Sequence, residues 1–241
     1  MKRKALLLGY TGKDDKDQYL SAVEKDLRAY RKFLKSPKGG FWEDNEIDPI
    51  MIDEKLEELP QKRLLYKGKC DFLYVVYSGH GYFDNCQYLG INKEKYLRVD
   101  YFNNWAPRQI CVFDACAKIP KNESENEALI EELSKQIYTM KPDKRRGLRE
   151  KYENQILRCP KQSIHLYAAK PDEYASATSI ESYYISELLK ELNIVEENIN
   201  VIKAHNIAAE QVIKRSNGEQ HPYSDVVPDN VSEYLPGAID E

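Results

Sequence analysis

The chain has 241 residues, of which 41% are hydrophobic and 32% are charged, which is ordinary for a soluble protein and enough for one α/β core. Its formal net charge of −4 leaves no broad basic surface for nucleic acid. The sequence has no apolar run near the ~20 residues of a membrane helix, and its five cysteines show no metal-ligand spacing. We therefore expect no membrane span, metal or cofactor, and a reducing, cytoplasmic location.

The amino-terminal part of the chain predicts two strands and two helices. Ala5–Tyr10 is too short an apolar stretch for a signal peptide and is predicted to be the first strand. Apolar residues then recur at helical spacing over Val23–Leu34. Ile47–Ile52 indicates an edge strand because Pro49 cannot donate to a central ladder, and a short helix over 56–65 should follow.

Two short apolar runs in the middle of the chain predict buried strands. Phe72–Tyr77 and Ile110–Phe113 are rich in β-branched and aromatic residues and are too short for lone helices. His80 follows the first run and Cys116 follows the second. Since chemistry in a parallel α/β sheet collects at the carboxyl ends of the strands, we expect both side chains at that edge.

The remaining segments alternate between strand and helix patterns. After the central charged stretch, Ser163–Ala169 predicts a strand, and two amphipathic helices should follow over 185–192 and 199–212. Between the two motifs, a hairpin and a helical turn are predicted over 86–91, 96–99 and 100–105. These alternating elements favour a mainly parallel sheet with helices on both faces.

His80 and Cys116 have the chemistry of a base and a thiol nucleophile. A thiol is mostly protonated at neutral pH, and histidine is the side chain whose pKa suits its activation. The amides of Gly81 and Cys116 could form an oxyanion hole, because the missing Cβ of Gly81 lets a carbonyl approach. Free cysteine is nevertheless often simply buried, so residue types alone leave packing roles open for both.

The other histidines and cysteines are predicted to be structural. His205 falls on the apolar face of a helix, and His165 lies inside a strand pattern. Cys70, Cys86, Cys111 and Cys159 lack a neighbouring histidine motif, so packing is their expected role.

Ser78-Gly79-His80-Gly81 after one strand and Asp114-Ala115-Cys116 after the next resemble the caspase-like cysteine proteases of clan CD, which include caspases, paracaspases and metacaspases. Gln220-His221-Pro222 is similar to a Gln-x-Pro element of bacterial members. The resemblance implies a caspase-like three-layer α/β sandwich and a Cys-His dyad. Two departures are that Cys116 follows His80 by 36 positions, fewer than the ~50 of caspases, and that Ala117-Lys118 replaces the usual residues after the nucleophile.

The resemblance also implies a substrate pocket. Asp114 stands two residues before the nucleophile, where caspases carry a glutamine, and Asp26 lies where metacaspases and paracaspases carry a pocket acid. Two carboxylates would attract Arg or Lys at P1 and repel Asp. Asp26 could instead be a solvated helix residue, and Asp114 could orient a loop backbone.

The charged stretch of about 118–158 corresponds to the region that some related proteases cleave on activation. Lys144, Arg145 and Arg146 form a candidate autocleavage site there, although charge runs are more often just solvent-facing. We predict a single peptidase domain over 1–241 that includes this stretch.

The sequence therefore predicts a cysteine endopeptidase that cleaves after Arg or Lys. Two alternatives stay open: a caspase-fold interaction module without catalysis, and a cysteine-dependent hydrolase of non-peptide substrates. The expected partner is a protein substrate, and bacterial relatives in defence systems suggest a pore-forming or other effector protein by analogy. The activator and any calcium requirement are left open by the sequence.

Overall fold

A computed structural model describes residues 1–13, 19–118, 142–194 and 196–240, with the backbone alone for 116–118. Within these residues, no helix is both long enough and apolar enough to span a membrane.

The elements alternate along the chain much as the sequence patterns predict. The larger strands are β1 (Arg3–Tyr10), β2 (Ile47–Met51), β3 (Phe72–Gly79), β4 (Gly81–Asp84), β5 (Cys86–Gly90), β6 (Tyr96–Arg98), β7 (Arg108–Lys118), β8 (Gln162–Tyr167) and β11 (Tyr223–Val227). Three short strands are β9 (Ala175–Ser176), β10 (Ile199–Asn200) and β12 (Pro236–Ala238). The α-helices are α1 (Ala22–Lys35), α2 (Ile52–Lys55), α3 (Glu58–Tyr66), α4 (Pro142–Arg158), α5 (Tyr183–Ile194) and α6 (Val201–Arg215), and 3-10 turns cover Asp44–Glu46 and Val99–Phe102.

The central sheet has the strand order β11-β8-β7-β3-β1-β2. All neighbours in it are parallel except β11, which runs antiparallel to β8. β2, which contains Pro49, lies at one edge of the sheet as predicted. Proline has no backbone N–H to donate and so disfavours a central strand. β9 pairs with the end of β7, outside this row of strands.

Two hydrophobic cores lie on opposite faces of the sheet. Even-numbered residues of β3 such as Tyr74 and Val76 pack with α1, α4, α5 and α6. Odd-numbered residues such as Val75 and Tyr77 pack with residues of α2, α3 and the second 3-10 turn. The alternation follows from the period of two in a strand, and it confirms the predicted three-layer arrangement.

A second sheet extends the predicted hairpin by one strand. β4 pairs with β5, and β5 with β6, all antiparallel. β4 starts immediately after His80, so this small sheet and the carboxyl end of β3 are joined at the predicted catalytic histidine.

Candidate active site

The register of β3 and β7 brings the two motifs together. Ser78 is paired with Asp114 and Gly79 with Ala115, in parallel strands that are direct neighbours. One step further along each chain are His80 and Cys116. The backbone therefore carries the predicted base and the predicted nucleophile at the same level of the sheet, at its carboxyl edge.

Hydrogen bonds fix the backbone of His80. Its carbonyl accepts from the Gly90 amide at 2.8 Å and from the Tyr77 hydroxyl at 2.5 Å. The half-buried His80 ring meets the edge of the Tyr10 ring, with 5.6 Å between the ring centroids. A Cβ on Gly79 would lie 2.6 Å from the Tyr10 carbonyl and 2.8 Å from the Tyr77 hydroxyl, so this position requires glycine.

The pairing of β4 and β5 sets the direction of the Gly81 amide. In antiparallel strands, hydrogen-bonded pairs alternate with pairs that are not bonded to each other. Because Gly90 donates to His80, the next pair, Gly81 with Leu89, is a non-bonded one. The Gly81 N–H therefore points away from β5 and is not used in the pairing of the hairpin.

The strand that carries Cys116 is longer than its apolar run. β7 continues to Lys118, because the backbone at Cys116 is paired with Ala175 of β9. Buried Gln220 supports β9: its carbonyl oxygen accepts from the Ser176 amide, and its amide nitrogen donates to the Ala168 carbonyl, both at 2.9 Å. The Gln-x-Pro element thus braces the segment that flanks the nucleophile strand.

Asp26 and Asp114 are brought together, and both are buried. Asp26 of α1 is 2% exposed and Asp114 of β7 is 0% exposed. The Ser78 hydroxyl donates to one oxygen of Asp26 at 3.0 Å, and the Ser182 amide donates to the other at 3.1 Å. Burial raises the pKa of Asp26 well above its usual range, and the charge of Asp114 raises this pKa further.

A turn over 177–182 closes the acidic pair from one side. Ala177 and Ser182 form an isolated bridge, and the Thr178 hydroxyl accepts from the amides of Ile180 and Glu181 at 3.1 Å each. The Ser21 hydroxyl donates to the Ser179 carbonyl at 2.6 Å and ties the turn to the start of α1. Asp26 is therefore not a solvated helix residue.

The histidines that were predicted to be structural lie in the core. His205 is 1% exposed and its Nδ1 is 2.7 Å from the Tyr184 hydroxyl, while burial lowers its pKa to about 4. His165 lies within hydrogen-bond distance of the hydroxyls of Ser163 and Tyr167, and burial lowers its pKa as well. Neither is placed to activate Cys116.

Three other cysteines have the environment of inert thiols. Burial raises the pKa of Cys70 and of Cys159 to about 11, and it raises the pKa of Cys111 further still. A thiol of such high pKa supplies almost no thiolate at neutral pH. Cys86 is only partly buried and lies at the tip of the β4–β5 hairpin.

The basic triplet lies on a helix. Lys144, Arg145 and Arg146 occupy the first two turns of α4, with Arg145 bound to Glu43 at 3.2 Å. A protease needs an extended substrate, so cleavage there requires the start of α4 to unwind. Most of the predicted activation region, residues 119–141, lies outside the described residues.

No group of three or more His, Cys, Asp or Glu side chains that could hold a metal ion occurs in the described part of the chain.

The Caspase domain family model matches residues 2–228, which is most of the chain. The chain belongs to the caspase domain family. This membership supports a function of the cysteine protease type in general. No curated protein matches the chain significantly.

Two solved structures share the fold. Protein GSU0716 from Geobacter sulfurreducens is 13% identical, with 100% of each chain covered and a TM-score of 0.58. Caspase-1 from Spodoptera frugiperda is also 13% identical, with 93% of this chain and 86% of that chain covered and a TM-score of 0.53. At this identity, the two likenesses show the caspase-like fold alone.

Sequence reasoning assigned no structural role to four residues that shape the site, although it named Gln220 and Ser78 within motifs. Tyr77 holds the His80 carbonyl, Ser78 and Ser182 bind Asp26, and Gln220 braces β9. Ser78 lies inside the histidine motif and Tyr77 directly precedes it, so their roles could have been considered. Ser182 is 156 positions from Asp26 and carries no motif, and only the fold could have found it.

Proposed function

We propose that this caspase-family protein is a cysteine endopeptidase whose dyad is His80 and Cys116. The observation that carries the proposal is the parallel register of β3 and β7, which sets the two residues at one level of the sheet's carboxyl edge. The other four cysteines lie elsewhere: Cys70, Cys111 and Cys159 are buried, and Cys86 lies at the tip of the β4–β5 hairpin.

The chemistry uses groups from both strands. Cys116 transfers its thiol proton to His80, and the thiolate attacks the substrate carbonyl carbon to form a C–S bond. The amides of Gly81 and Cys116 stabilise the negative charge on the carbonyl oxygen. His80 then protonates the departing amine as the C–N bond breaks, and water hydrolyses the thioester.

The proposed P1 pocket is the acidic pair. Two adjacent buried carboxylates repel each other and are poorly solvated, which the raised pKa of Asp26 reflects. A guanidinium or ammonium group would pair with the two carboxylates and so reduce both their mutual repulsion and the cost of their poor solvation. A P1 carboxylate would increase the repulsion. We propose that Arg or Lys at P1 enters here after the turn over 177–182 moves away from Asp26.

Peptide cleavage tests this proposal. Wild type should cleave fluorogenic peptides with Arg or Lys at P1, and should leave the Asp peptide intact. Cys116→Ala and His80→Ala should each lose at least a thousandfold in kcat/KM, while Cys86→Ala, a matched control on the hairpin tip, should keep wild-type activity. Cleavage after Asp would refute the acidic pocket, and activity that survives Cys116→Ala would refute the dyad.

The natural substrate proposed is a protein with a basic residue in an extended, accessible loop. The chain itself offers one such candidate in Lys144, Arg145 and Arg146, once the start of α4 unwinds. Intact mass spectrometry after incubation decides this point: active wild type should yield fragments that end at these residues, and Cys116→Ala should not. Identical intact masses would refute self-processing.

A further inference from the structure

A cavity lies on the other face of β7 from the acidic pair. It has a volume of about 230 Å³ and is lined by Gly81, the proposed oxyanion donor, and by Ala115, the residue before Cys116. Ala115 packs against the odd-numbered core, while Asp114 faces Asp26 of α1 on the opposite side. The cavity and the acidic pair are therefore separated by the strand that carries Cys116.

The cavity is lined by aromatic side chains and by polar ones. Phe113 and Tyr167 form its floor, with 5.5 Å between their ring centroids. Tyr82 from β4 lies at its margin, half-exposed, and stacks on Tyr88 at 4.8 Å. An apolar floor that is open to solvent suits an apolar side chain whose backbone remains at the surface.

The charged side chains that line the cavity do not form a binding site for an ion. The carboxylate of Glu173 accepts from the backbone N–H of His221 at 2.7 Å and lies 2.9 Å from His221 Nδ1. Lys170 and Asp172, which also line the cavity, are exposed and of opposite sign. The features that remain to select an occupant are the volume and the aromatic floor.

The geometry of an extended peptide connects this cavity to the reaction. Successive side chains of an extended chain point to opposite sides. If the P1 side chain enters the acidic pair on one face of β7, the next side chain, P1′, is directed to the other face. The scissile carbonyl between them would then lie at the Gly81 amide, which borders the cavity.

We propose that this cavity is the P1′ subsite, and that it selects a large apolar side chain, preferably Phe or Tyr. The proposal rests on the proposed peptidase function. At roughly 30 Å³ for each water, the cavity holds about eight waters, and an aromatic side chain would displace several of them. The enzyme would then recognise a dipeptide signature, a basic residue followed by an aromatic one.

The test uses internally quenched peptides that share Arg at P1 and differ at P1′, with Gly, Ala, Leu, Phe or Tyr. For wild type, we expect kcat/KM to be at least tenfold higher with Phe than with Gly. Tyr82→Ala, which removes an aromatic ring from the cavity margin, should lower this Phe-to-Gly ratio at least threefold. Urea denaturation should show that this variant is folded. Tyr96→Ala is the matched control, because Tyr96 contacts Tyr82 and is similarly exposed but does not line the cavity, and it should keep the wild-type ratio.

A binding experiment separates this proposal from the proposed function. Fluorescence anisotropy with Cys116→Ala should show at least tenfold tighter binding of the Phe peptide than of the Gly peptide, and Tyr82→Ala added to Cys116→Ala should reduce this difference at least threefold. Cleavage after Arg that ignores P1′ would overturn the subsite and leave the peptidase. A binding preference without cleavage by wild type would support the subsite and overturn the peptidase. Neither cleavage nor preference would overturn both.

Discussion

Gly81→Ala tests the proposed oxyanion hole. A Cβ at this position would lie 2.5 Å from the Tyr88 carbonyl oxygen and 2.7 Å from the Ala115 Cβ, whereas ordinary contacts begin at 3.4 Å. β4 would therefore have to move about 0.9 Å from β5 and about 0.7 Å from β7, at a cost of about 1–3 kcal/mol in the free energy of unfolding. Misplacement of catalytic groups by ~1 Å can cost ~100-fold in rate, so we expect kcat/KM to fall about 30- to 100-fold.

Two measurements distinguish a displaced amide from a damaged protein. Urea denaturation should show a folded Gly81→Ala protein, and iodoacetamide should alkylate Cys116 at the wild-type rate, because alkylation needs the thiolate and no oxyanion hole. Gly147→Ala is the matched control, since its Cβ would have nothing within 4 Å and should stabilise α4 by about 0.5–1 kcal/mol. Wild-type kcat/KM in a folded Gly81→Ala protein would refute the reasoning.

Three further predictions concern the groups around the site. Asp26→Asn should abolish the preference for Arg and Lys and yet raise stability at pH 8, because the raised pKa of Asp26 makes its ionisation costly as pH rises above about 4. Urea denaturation should show a gain in the free energy of unfolding at pH 8 that shrinks towards pH 4, and no gain would contradict this. Burial lowers the pKa of His205 to about 4, so the free energy of unfolding of wild type should fall by about 3 kcal/mol as pH falls from about 6.5 to below 4. His205→Gln should remove this pH dependence. Parallel pH profiles of the two proteins would count against the prediction. Gln220→Ala should cost about 2–4 kcal/mol of stability and slow turnover, since two buried backbone groups lose their partner; an unchanged Tm would show that Gln220 does not brace β9.

The main sheet and the positions of His80 and Cys116 at its carboxyl edge could be predicted from the sequence. Apolar runs such as Phe72–Tyr77 are strong strand signals, and parallel strands bring their carboxyl ends to one edge. His80 and Cys116 each follow such a run, so they lie close together once β3 and β7 are neighbours in the sheet. The resemblance of the two motifs to a known family indicated that order. Local pattern and overall fold agree here.

The rest depended on long-range pairing. β7 extends to Lys118 because a two-residue strand, β9, pairs with it, and Ala175–Ser176 has no strand signal of its own. The orientation of the Gly81 amide depends on the register of a hairpin, which cannot be read from residue types. The closure of Asp26 depends on Ser182, which reaches it only because the turn over 177–182 packs on α1.

The central proposal is that Cys116 attacks the carbonyl carbon of a basic P1 residue. Its most direct test is covalent trapping: the protein is incubated with peptidyl acyloxymethyl ketones that end in Arg or in Asp, and the adduct is located by peptide mass spectrometry. The account predicts one adduct, on Cys116, with the Arg probe only, and its loss in His80→Ala. Labelling of another cysteine, or equal labelling by the Asp probe, would contradict it.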